Sequence, residues 1–196
     1  MGTTQPIRQK DELQKFLDYY QNVHPIPRNE ALIVLGLHTA LRISDILTLH
    51  WGDVYDFNQN RYVDHLFIQE KKTGKQNIIA LNIHVKKALA QLQKERQNIC
   101  STDYIFTKRT DYTTPLSRSQ AFRIVKRAAH DALHDEHVSC HSLRKTFGYH
   151  AWKQGTPPAL LMDIYNHSSY KVTKRYLGIE HDERDSIFME IDFYKK

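Results

Sequence analysis

The first quarter of the chain carries apolar residues at helical spacing. The first such group consists of Leu13, Phe16, Leu17 and Tyr20. Asp11 precedes this group at a position that favours a helix cap. Pro25 and Pro27 interrupt the pattern, and a second helix, apolar on nearly all sides and therefore buried, is predicted from about Asn29. Ser44 is the expected cap of a third helix.

From Val63 the spacing of apolar residues changes from a helical period to alternation. Residues 65–70 and 77–81 alternate, and a polar segment around Gly74 separates them. This arrangement predicts an antiparallel β-hairpin. Its tip carries the lysines Lys71, Lys72 and Lys75. Lysines at a hairpin tip are usually solvated charges, so the hairpin alone does not indicate chemistry.

Helical spacing returns after the hairpin. One helix is predicted over residues 84–97, a short strand over 104–106, and a second helix over about 118–134, opened by the capping-box spacing Ser117-x-x-Gln120. The apolar stripe of the 84–97 helix consists of Val85, Ala88, Leu89 and Leu92. The apolar side of the 118–134 helix consists of Ala121, Val125, Ala128, Ala129 and Ala132. Its basic side consists of Arg118, Arg123, Lys126 and Arg127. Basic helix faces are usually only solvated, and the alternative is contact with DNA.

The last third of the chain is also predicted to be helical. A helix that contains residue 141 should stop at Gly155, and Thr156-Pro157 should cap and open another over 158–165. Ser169 is the expected cap of a short helix that follows. The sequence therefore predicts one α+β domain, mainly helical with a small antiparallel sheet. Residues 1–29 form a lead-in and first helix, 30–180 the core, and 181–196 a C-terminal tail.

Composition narrows the class of protein. The chain has 196 residues, a formal charge of +6 and a pI of about 9.2, which favours an anionic partner such as nucleic acid. No segment approaches transmembrane length and no leader opens the chain, so we expect a cytoplasmic protein without a membrane partner. Cys100 and Cys140 lack disulfide or metal-ligand spacing, so they are expected to be reduced, partly buried thiols. The 12 histidines form no metal-binding pattern, so neither a metal nor a cofactor is expected.

Candidate phosphate chemistry lies in the C-terminal half. His141 and Arg144 are three residues apart and share a helix face, where an imidazole and a guanidinium suit a phosphodiester. Tyr176 follows His167 by nine residues, and its phenol could attack phosphorus. Each of these signals is weak alone, because such spacings arise by chance. Arg42 lies between apolar runs and needs an acid or a ligand.

The nearest acid to Arg42 in the sequence is Asp45, so a structural Arg42–Asp45 pair is the alternative to a phosphate-binding role. In chain order, however, the motifs strongly resemble those of the tyrosine recombinase (phage integrase) family. The matching pieces are Thr39-Ala-Leu-Arg42-Ile-Ser-Asp45-Ile-Leu, Lys72-Thr-Gly-Lys75, His141-Ser-Leu-Arg144, and Asn166-His167-Ser-Ser169 with Thr173 and Tyr176-Leu177. They span about residues 30 to 180.

The resemblance implies a role for each matched residue. Arg42 and Arg144 would bind the scissile phosphate, with Asp45 in support, and Lys72 would be the hairpin lysine. His141 and His167 would be the two histidine positions, and Tyr176 the nucleophile. Two positions depart from the family pattern: Tyr165-Asn166 replaces Leu-Gly, and Asp45 replaces Glu. Asn tolerates positive φ and Asp keeps the carboxylate, so both departures are compatible with an active site.

The implied function is site-specific recombination of double-stranded DNA through a 3′-phosphotyrosyl intermediate, without a cofactor. The expected assembly is a homotetramer on paired sites, monomeric without DNA, nucleoid-associated when bound, and able to use accessory DNA-binding proteins. Residues 1–29 are too short for the family's DNA-clamping domain, so the sequence is expected to be either a short, single-domain recombinase or an excised catalytic domain. The tail would dock on a neighbouring subunit or, as the alternative, pack on its own domain. Two rival functions are a type IB topoisomerase-like enzyme and a non-catalytic DNA-binding regulator.

Overall fold

The computed structural model describes residues 4–71, 74–96, 98–108 and 110–193. The helices before residue 100 are α1 (Lys10–Asp18), α2 (Pro27–Thr39), α3 (Ile43–Ile46), α4 (Trp51–Val54) and α5 (Ile83–Glu95). A π-helical turn (Tyr19–Val23) extends α1. The later helices are α6 (Arg118–Leu133), α7 (Cys140–Lys153), α8 (Pro158–Tyr165), α9 (Tyr170–Leu177) and α10 (Glu180–Glu190). This is the mainly helical α+β fold that the sequence predicts.

Two antiparallel hairpins supply the β-structure of the described residues. Strand β1 (Tyr55–Asp56) pairs with β2 (Arg61–Tyr62), and β3 (His65–Gln69) pairs with β4 (Gln76–Ala80). The second hairpin is the predicted one, and its register places Gln69 opposite Gln76 just below the tip. The first hairpin has strands of only two residues, too short to leave a period in the sequence.

The core is built around α2, which packs against α5 and α7. Every position of α2 from Ala31 to Leu37 is buried, as the uniform apolar pattern predicts. The predicted stripe of α5 is also confirmed, because Val85, Ala88, Leu89 and Leu92 are its buried residues. A second, smaller apolar cluster lies beside α7 and consists of Ala40, Tyr149, Tyr165, Leu177 and Ile179. This smaller cluster supports the elements that carry the candidate site.

Several helix starts differ from the prediction. Helix α1 begins at Lys10, with Gln9 as its cap residue. Asp11 therefore lies in the first turn, where its negative charge interacts favourably with the helix dipole. Pro27 opens α2 instead of interrupting it, since proline suits the first helical position. Arg42 is the cap residue of α3, with extended backbone, and Ser44 lies inside the helix. The left-handed Ala40, at φ 54°, ends α2 early enough to leave Arg42 in the connection.

The strand predicted over residues 104–106 does not form. Tyr104 makes only an isolated bridge to His50, and Ile105 and Phe106 are fully buried. A short apolar run is equally compatible with a strand and with a buried loop, which explains the error. Pro157, not Thr156, is the cap residue of α8. Cys100 is exposed, whereas Cys140 is partly buried as expected.

Other local predictions are confirmed. Ser117 and Gln120 form the capping box of α6, and the Ser169 side chain caps α9 through the Val172 amide. Within the described ranges, no helix combines the length and the apolar character that crossing a bilayer requires.

The tail forms α10 and leaves large apolar side chains in solvent. The exposed fractions are 55% for Ile187, 75% for Phe188, 86% for Met189, 54% for Ile191 and 89% for Phe193. These side chains lie outside the two apolar clusters of the described residues, and docking on the same domain or on a neighbouring subunit stays a prediction.

Candidate active site

Arg144 is held inside the protein by three contacts, two hydrogen bonds and one cation–π contact. It lies in the second turn of α7 with 3% of its surface exposed. Its Nη1 donates to the Ala40 carbonyl, and its Nη2 donates to the Tyr165 carbonyl at 3.4 Å. The guanidinium carbon lies 4.6 Å from the centre of the Tyr165 ring. Burial lowers the pKa of Arg144 from its ordinary value, yet a guanidinium stays charged at any working pH. The result is a rigid buried cation.

Tyr165 is the main support of Arg144. Its hydroxyl donates to the Arg144 carbonyl at 2.6 Å, so the two residues bind each other through both backbone and side chain. Gly148 allows this close approach. A Cβ at that position would lie 2.4 Å from the Tyr165 hydroxyl oxygen and 2.6 Å from Leu177 Cδ2. Helices α7, α8 and α9 therefore meet at a glycine.

We expect Gly148→Ala to destabilise the fold by about 1–3 kcal/mol, because the added methyl must displace buried neighbours. The midpoint of chemical denaturation measures this change. Lys153→Ala, at an exposed position of the same helix, is the control and should change stability by less than about 0.5 kcal/mol. Equal effects of the two substitutions would mean that Tyr165 can move aside without cost.

Tyr176 lies in α9 beside two other aromatic rings. Its ring centre is 5.4 Å from that of Tyr165 and 5.3 Å from that of His167. Burial raises the pKa of the Tyr176 phenol, and the charge and hydrogen bond of Arg144 and the charge of Arg42 oppose that rise without cancelling it. The phenol is therefore neutral near pH 7 and needs a proton acceptor to become a nucleophile.

His167 follows α8 in a tight turn. Asn166 ends α8 at φ 54°. It therefore occupies the left-handed conformation expected at this position, where the family pattern has Gly. His167 Nδ1 lies 3.0 Å from Thr173 Oγ1, which fixes the ring orientation. Burial, followed by the charges of Arg144 and Arg42, lowers the pKa of His167 below its ordinary value of 6.5. The imidazole is therefore neutral near pH 7.

This lowered pKa has a consequence for stability. Below pH 6.5 the unfolded chain takes up the His167 proton more readily than the folded protein, so stability falls as the pH falls toward the folded pKa. His167→Gln should remove this part of the loss, giving a flatter stability curve below about pH 6.5. Denaturation midpoints across that range measure it. Parallel curves for parent and His167→Gln would contradict the prediction.

Arg42 pairs with Glu70 and not with Asp45. Its Nη1 donates to Glu70 Oε2, and the side chains are 19% and 0% exposed. Asp45, itself 1% exposed, accepts instead from the Lys71 amide at 3.2 Å. The Arg42–Asp45 pair, the alternative interpretation of Arg42, therefore does not form, because docking of the second hairpin brings a closer carboxylate. Two carboxylates, those of Glu70 and Asp45, therefore fasten the tip end of that hairpin to the turn around α3.

His141 lies on an exposed groove near Arg42. The groove has a volume of about 400 Å³ and is lined by Arg42, Ile43, Ser44, Lys71, Arg118 and His141. His141 itself is exposed in the first turn of α7. The groove therefore joins the predicted histidine and arginine positions to two of the predicted DNA-contacting residues.

The remaining predicted DNA contacts are spread out. Lys75 is exposed just before β4, and Arg123 is exposed on α6. Lys126 Nζ lies 2.7 Å from Glu136 Oε2, and Arg127 Nε lies 3.7 Å from Asp131 Oδ2. The basic side of α6 is therefore not one uniform surface, and Arg118 is the member that lines the groove. The predicted hairpin lysine, Lys72, lies outside the described residues.

Sequence reasoning missed three neighbours of the site. Glu70 was read only as the end of a strand, although a single carboxylate beside a lysine cluster was a usable signal. Tyr165 was read as a departure from a pattern, and nothing in the sequence indicated that it stacks on Arg144. Lys145 received no role, yet its Nζ lies 5.3 Å from the centre of the Tyr176 ring.

Comparison with curated proteins gives related sequences of similar length. The chain is 38% identical over 182 residues to a probable integrase/recombinase of Bacillus subtilis strain 168, YoeC, with 93% of each chain covered. It is 32% identical over 152 residues to the type 1 fimbriae regulatory protein FimE of Escherichia coli K12, with 76% and 73% covered.

Solved structures share the fold at lower sequence identity. The XerA recombinase matches with a TM-score of 0.75 at 18% identity over 96% of this chain and 64% of that chain. The XerH recombinase bound to its difH substrate before cleavage matches with a TM-score of 0.71 at 19% identity, over 99% and 56% of the two chains. This chain thus spans less than two thirds of either solved chain. A sequence model described as the phage integrase family matches residues 8–183, and the chain therefore belongs to the phage integrase family.

Proposed function

We propose that this protein is a site-specific recombinase that cleaves and rejoins DNA strands through a 3′-phosphotyrosyl intermediate on Tyr176. The observation that carries the proposal is the placement of the Tyr176 phenol beside the buried, fixed guanidinium of Arg144, within the electrostatic reach of Arg42. A weak nucleophile next to two cations suits attack on a phosphodiester. The integrase and recombinase names of its relatives support the same function.

The proposed reaction conserves the number of phosphate ester bonds. The Tyr176 oxygen attacks phosphorus and forms a phosphotyrosyl ester, while the bond between phosphorus and the 5′ oxygen breaks. The phenol proton leaves to a base, and the departing 5′ oxygen receives a proton from an acid. Attack by the 5′ hydroxyl of another strand reverses both steps. Strand exchange therefore needs no external energy source.

Each site residue has one proposed task. Arg42 and Arg144 bind the non-bridging oxygens, where guanidinium groups give bidentate contacts. His141 takes part in removing the phenol proton. His167, held at its Nδ1 by the Thr173 hydroxyl, hydrogen-bonds a phosphate oxygen through Nε2. Lys72 protonates the leaving oxygen.

A suicide substrate tests the proposal. Nicked duplexes made from the genomic flanks of the gene should yield a covalent protein–DNA adduct, and mass spectrometry should place the nucleotide on the peptide that contains Tyr176. A plasmid with two sites should then give recombinant product. Relaxation of a one-site plasmid without recombinants would favour a topoisomerase, and binding without an adduct would favour a regulator.

The proposed partners follow from this reaction. Double-stranded DNA is the substrate, on which the protein would be associated with the nucleoid, and strand exchange between two sites requires four subunits. The exposed tail residues Ile187, Phe188 and Met189 support docking of α10 on a neighbouring subunit. Analytical ultracentrifugation should show a monomer alone and a tetramer with paired sites, with accessory DNA-binding proteins needed only if purified components fail to assemble.

We expect Lys72→Ala to bind DNA nearly as well as the parent and to cleave it on the order of a hundredfold more slowly, the usual range for losing a general acid. A substrate with a 5′-bridging sulfur restores most of the rate, because a thiolate leaves without a proton. Lys71→Ala and Lys75→Ala share the hairpin tip and serve as controls. Rescue of Lys75→Ala in place of Lys72→Ala would move the acid to Lys75.

A further inference from the structure

Lys145 is a buried lysine directly beneath the proposed nucleophile. It follows Arg144 on α7, and only 8% of its surface is exposed. Its Nζ lies 5.3 Å from the centre of the Tyr176 ring and donates to the Thr4 carbonyl at 2.7 Å. Burial lowers its pKa from the ordinary value of 10.5. A buried ammonium is costly to maintain, so its two contacts call for a function.

The backbone around Thr4 is fixed firmly enough to hold this ammonium. Residues 4–8, here called the N-terminal strap, lie against α7. The Ile7 amide donates to Thr146 Oγ1 at 2.9 Å, and the Ile7 carbonyl lies 3.0 Å from His150 Nε2. Arg8 Nη2 donates to the Gly178 carbonyl at 2.7 Å, directly after α9. The strap therefore spans from the helix of Lys145 to the end of the helix of Tyr176.

We propose that Lys145 is a positioning residue for the nucleophile. The Thr4 carbonyl holds the ammonium against the Tyr176 ring, where it orients the ring and stabilises the negative charge that develops on the phenol as its proton leaves. This inference rests on the proposed function, because it takes Tyr176 as the attacking group. It extends the active site to the N-terminal strap.

Several other groups face Tyr176 from the elements around it. Arg144 comes from α7, Tyr165 from α8, His167 from the following turn, and Arg42 from the turn before α3. The two arginines are proposed to bind phosphate, so their replacement changes substrate binding as well as the phenol. Lys145 contacts the ring and the strap instead. Replacing Lys145 therefore tests its effect on the Tyr176 phenol while the two phosphate-binding arginines stay in place.

Three variants separate the charge from the packing. Lys145→Met keeps an unbranched apolar chain without charge, and Lys145→Arg keeps the charge. Lys153→Met is the matched control, since Lys153 lies on the same helix with its Nζ 6.0 Å from the centre of the Tyr149 ring. Single-turnover cleavage of the suicide substrate is measured across pH. Lys145→Met should be about three- to thirtyfold slower at pH 7, with its rate profile displaced to higher pH.

Lys145→Arg should recover most of the lost rate, and Lys153→Met should behave as the parent. A purely structural role of Lys145 predicts a different result: equal slowing at every pH, a lower denaturation midpoint, and no recovery by arginine. That result would overturn the inference, as would a Lys145→Met variant with the parental rate. If Lys145→Met does not fold, Lys145→Gln is used, with the same expectation.

A titration without DNA makes the test independent of the reaction. The ¹³C resonances of labelled tyrosine rings are followed with pH, and the Tyr176 signal is assigned by its absence in Tyr176→Phe. The phenol of Tyr176 should titrate at higher pH in Lys145→Met than in Lys145→Arg, whose guanidinium stays charged throughout the titration. Equal titration of the phenol in these two variants would overturn the inference even if cleavage were slower. If the adduct forms on another residue, the proposed function fails, while the titration still reports whether Lys145 acts on Tyr176.

Discussion

Tyr176→Phe is expected to abolish the covalent protein–DNA adduct while leaving DNA binding nearly unchanged. The substitution removes only the phenol oxygen, so the ring keeps its contacts with Tyr165, His167 and Lys145. Loss of an enzyme's nucleophile typically lowers the rate by several orders of magnitude. Denaturing gels of suicide-substrate reactions measure the adduct, and fluorescence anisotropy measures binding.

Tyr170→Phe is the matched control for this prediction. Tyr170 lies one residue after the cap of the same helix, and Lys174 Nζ lies 5.3 Å from its ring centre, so its surroundings are comparable. It should form the adduct at the parental rate. An adduct that persists in Tyr176→Phe and disappears in Tyr170→Phe would move the nucleophile by nearly two helical turns.

Removal of the Arg42 guanidinium is expected to affect both stability and cleavage. Arg42→Met leaves the fully buried Glu70 side chain without that counter-charge, and breaking a buried ion pair from one side costs about 3–5 kcal/mol. The same substitution removes one of the two proposed phosphate-binding groups, so cleavage should fall severely. Chemical denaturation and single-turnover cleavage measure the two effects separately.

A double variant distinguishes the structural task of Arg42 from the catalytic one. Arg42→Met combined with Glu70→Gln removes both charges and should recover much of the lost stability. Cleavage should remain defective, because the phosphate still lacks its second guanidinium. Arg42→Lys keeps the charge but cannot form the bidentate contact, and it should also cleave poorly. Near-parental cleavage by either variant would reduce Arg42 to a purely structural partner of Glu70.

The sequence predicted those parts of the fold that depend on local periodicity. The stripe of α5, the hairpin of β3 and β4, and the capping box at Ser117 all follow from residues close in sequence. The left-handed Asn166 was also predictable, because few residue types tolerate that conformation. Local rules failed where two local solutions compete, as in the buried loop at Ile105 that resembles a strand.

The contacts within the candidate site depended on tertiary packing instead. Asp45 lies three residues from Arg42 in sequence, yet Glu70 is the partner because the docked hairpin places it there. The stacking of Arg144 on Tyr165 requires that α7 and α8 approach each other at Gly148. Motif spacing selected Arg144, His167 and Tyr176, which lie close together, but it could not identify the groups that hold them.

The exposed end of α10 has a consequence for the handling and abundance of the free protein. Phe188, Met189 and Phe193 are 75%, 86% and 89% exposed, so they form an apolar patch on the surface of the tail. Such patches promote precipitation as concentration rises, and salts such as sulfate strengthen the effect. Purification should therefore be easier at low concentration and in the absence of sulfate. In a cell, the same property would favour a low concentration of the protein that is not bound to DNA.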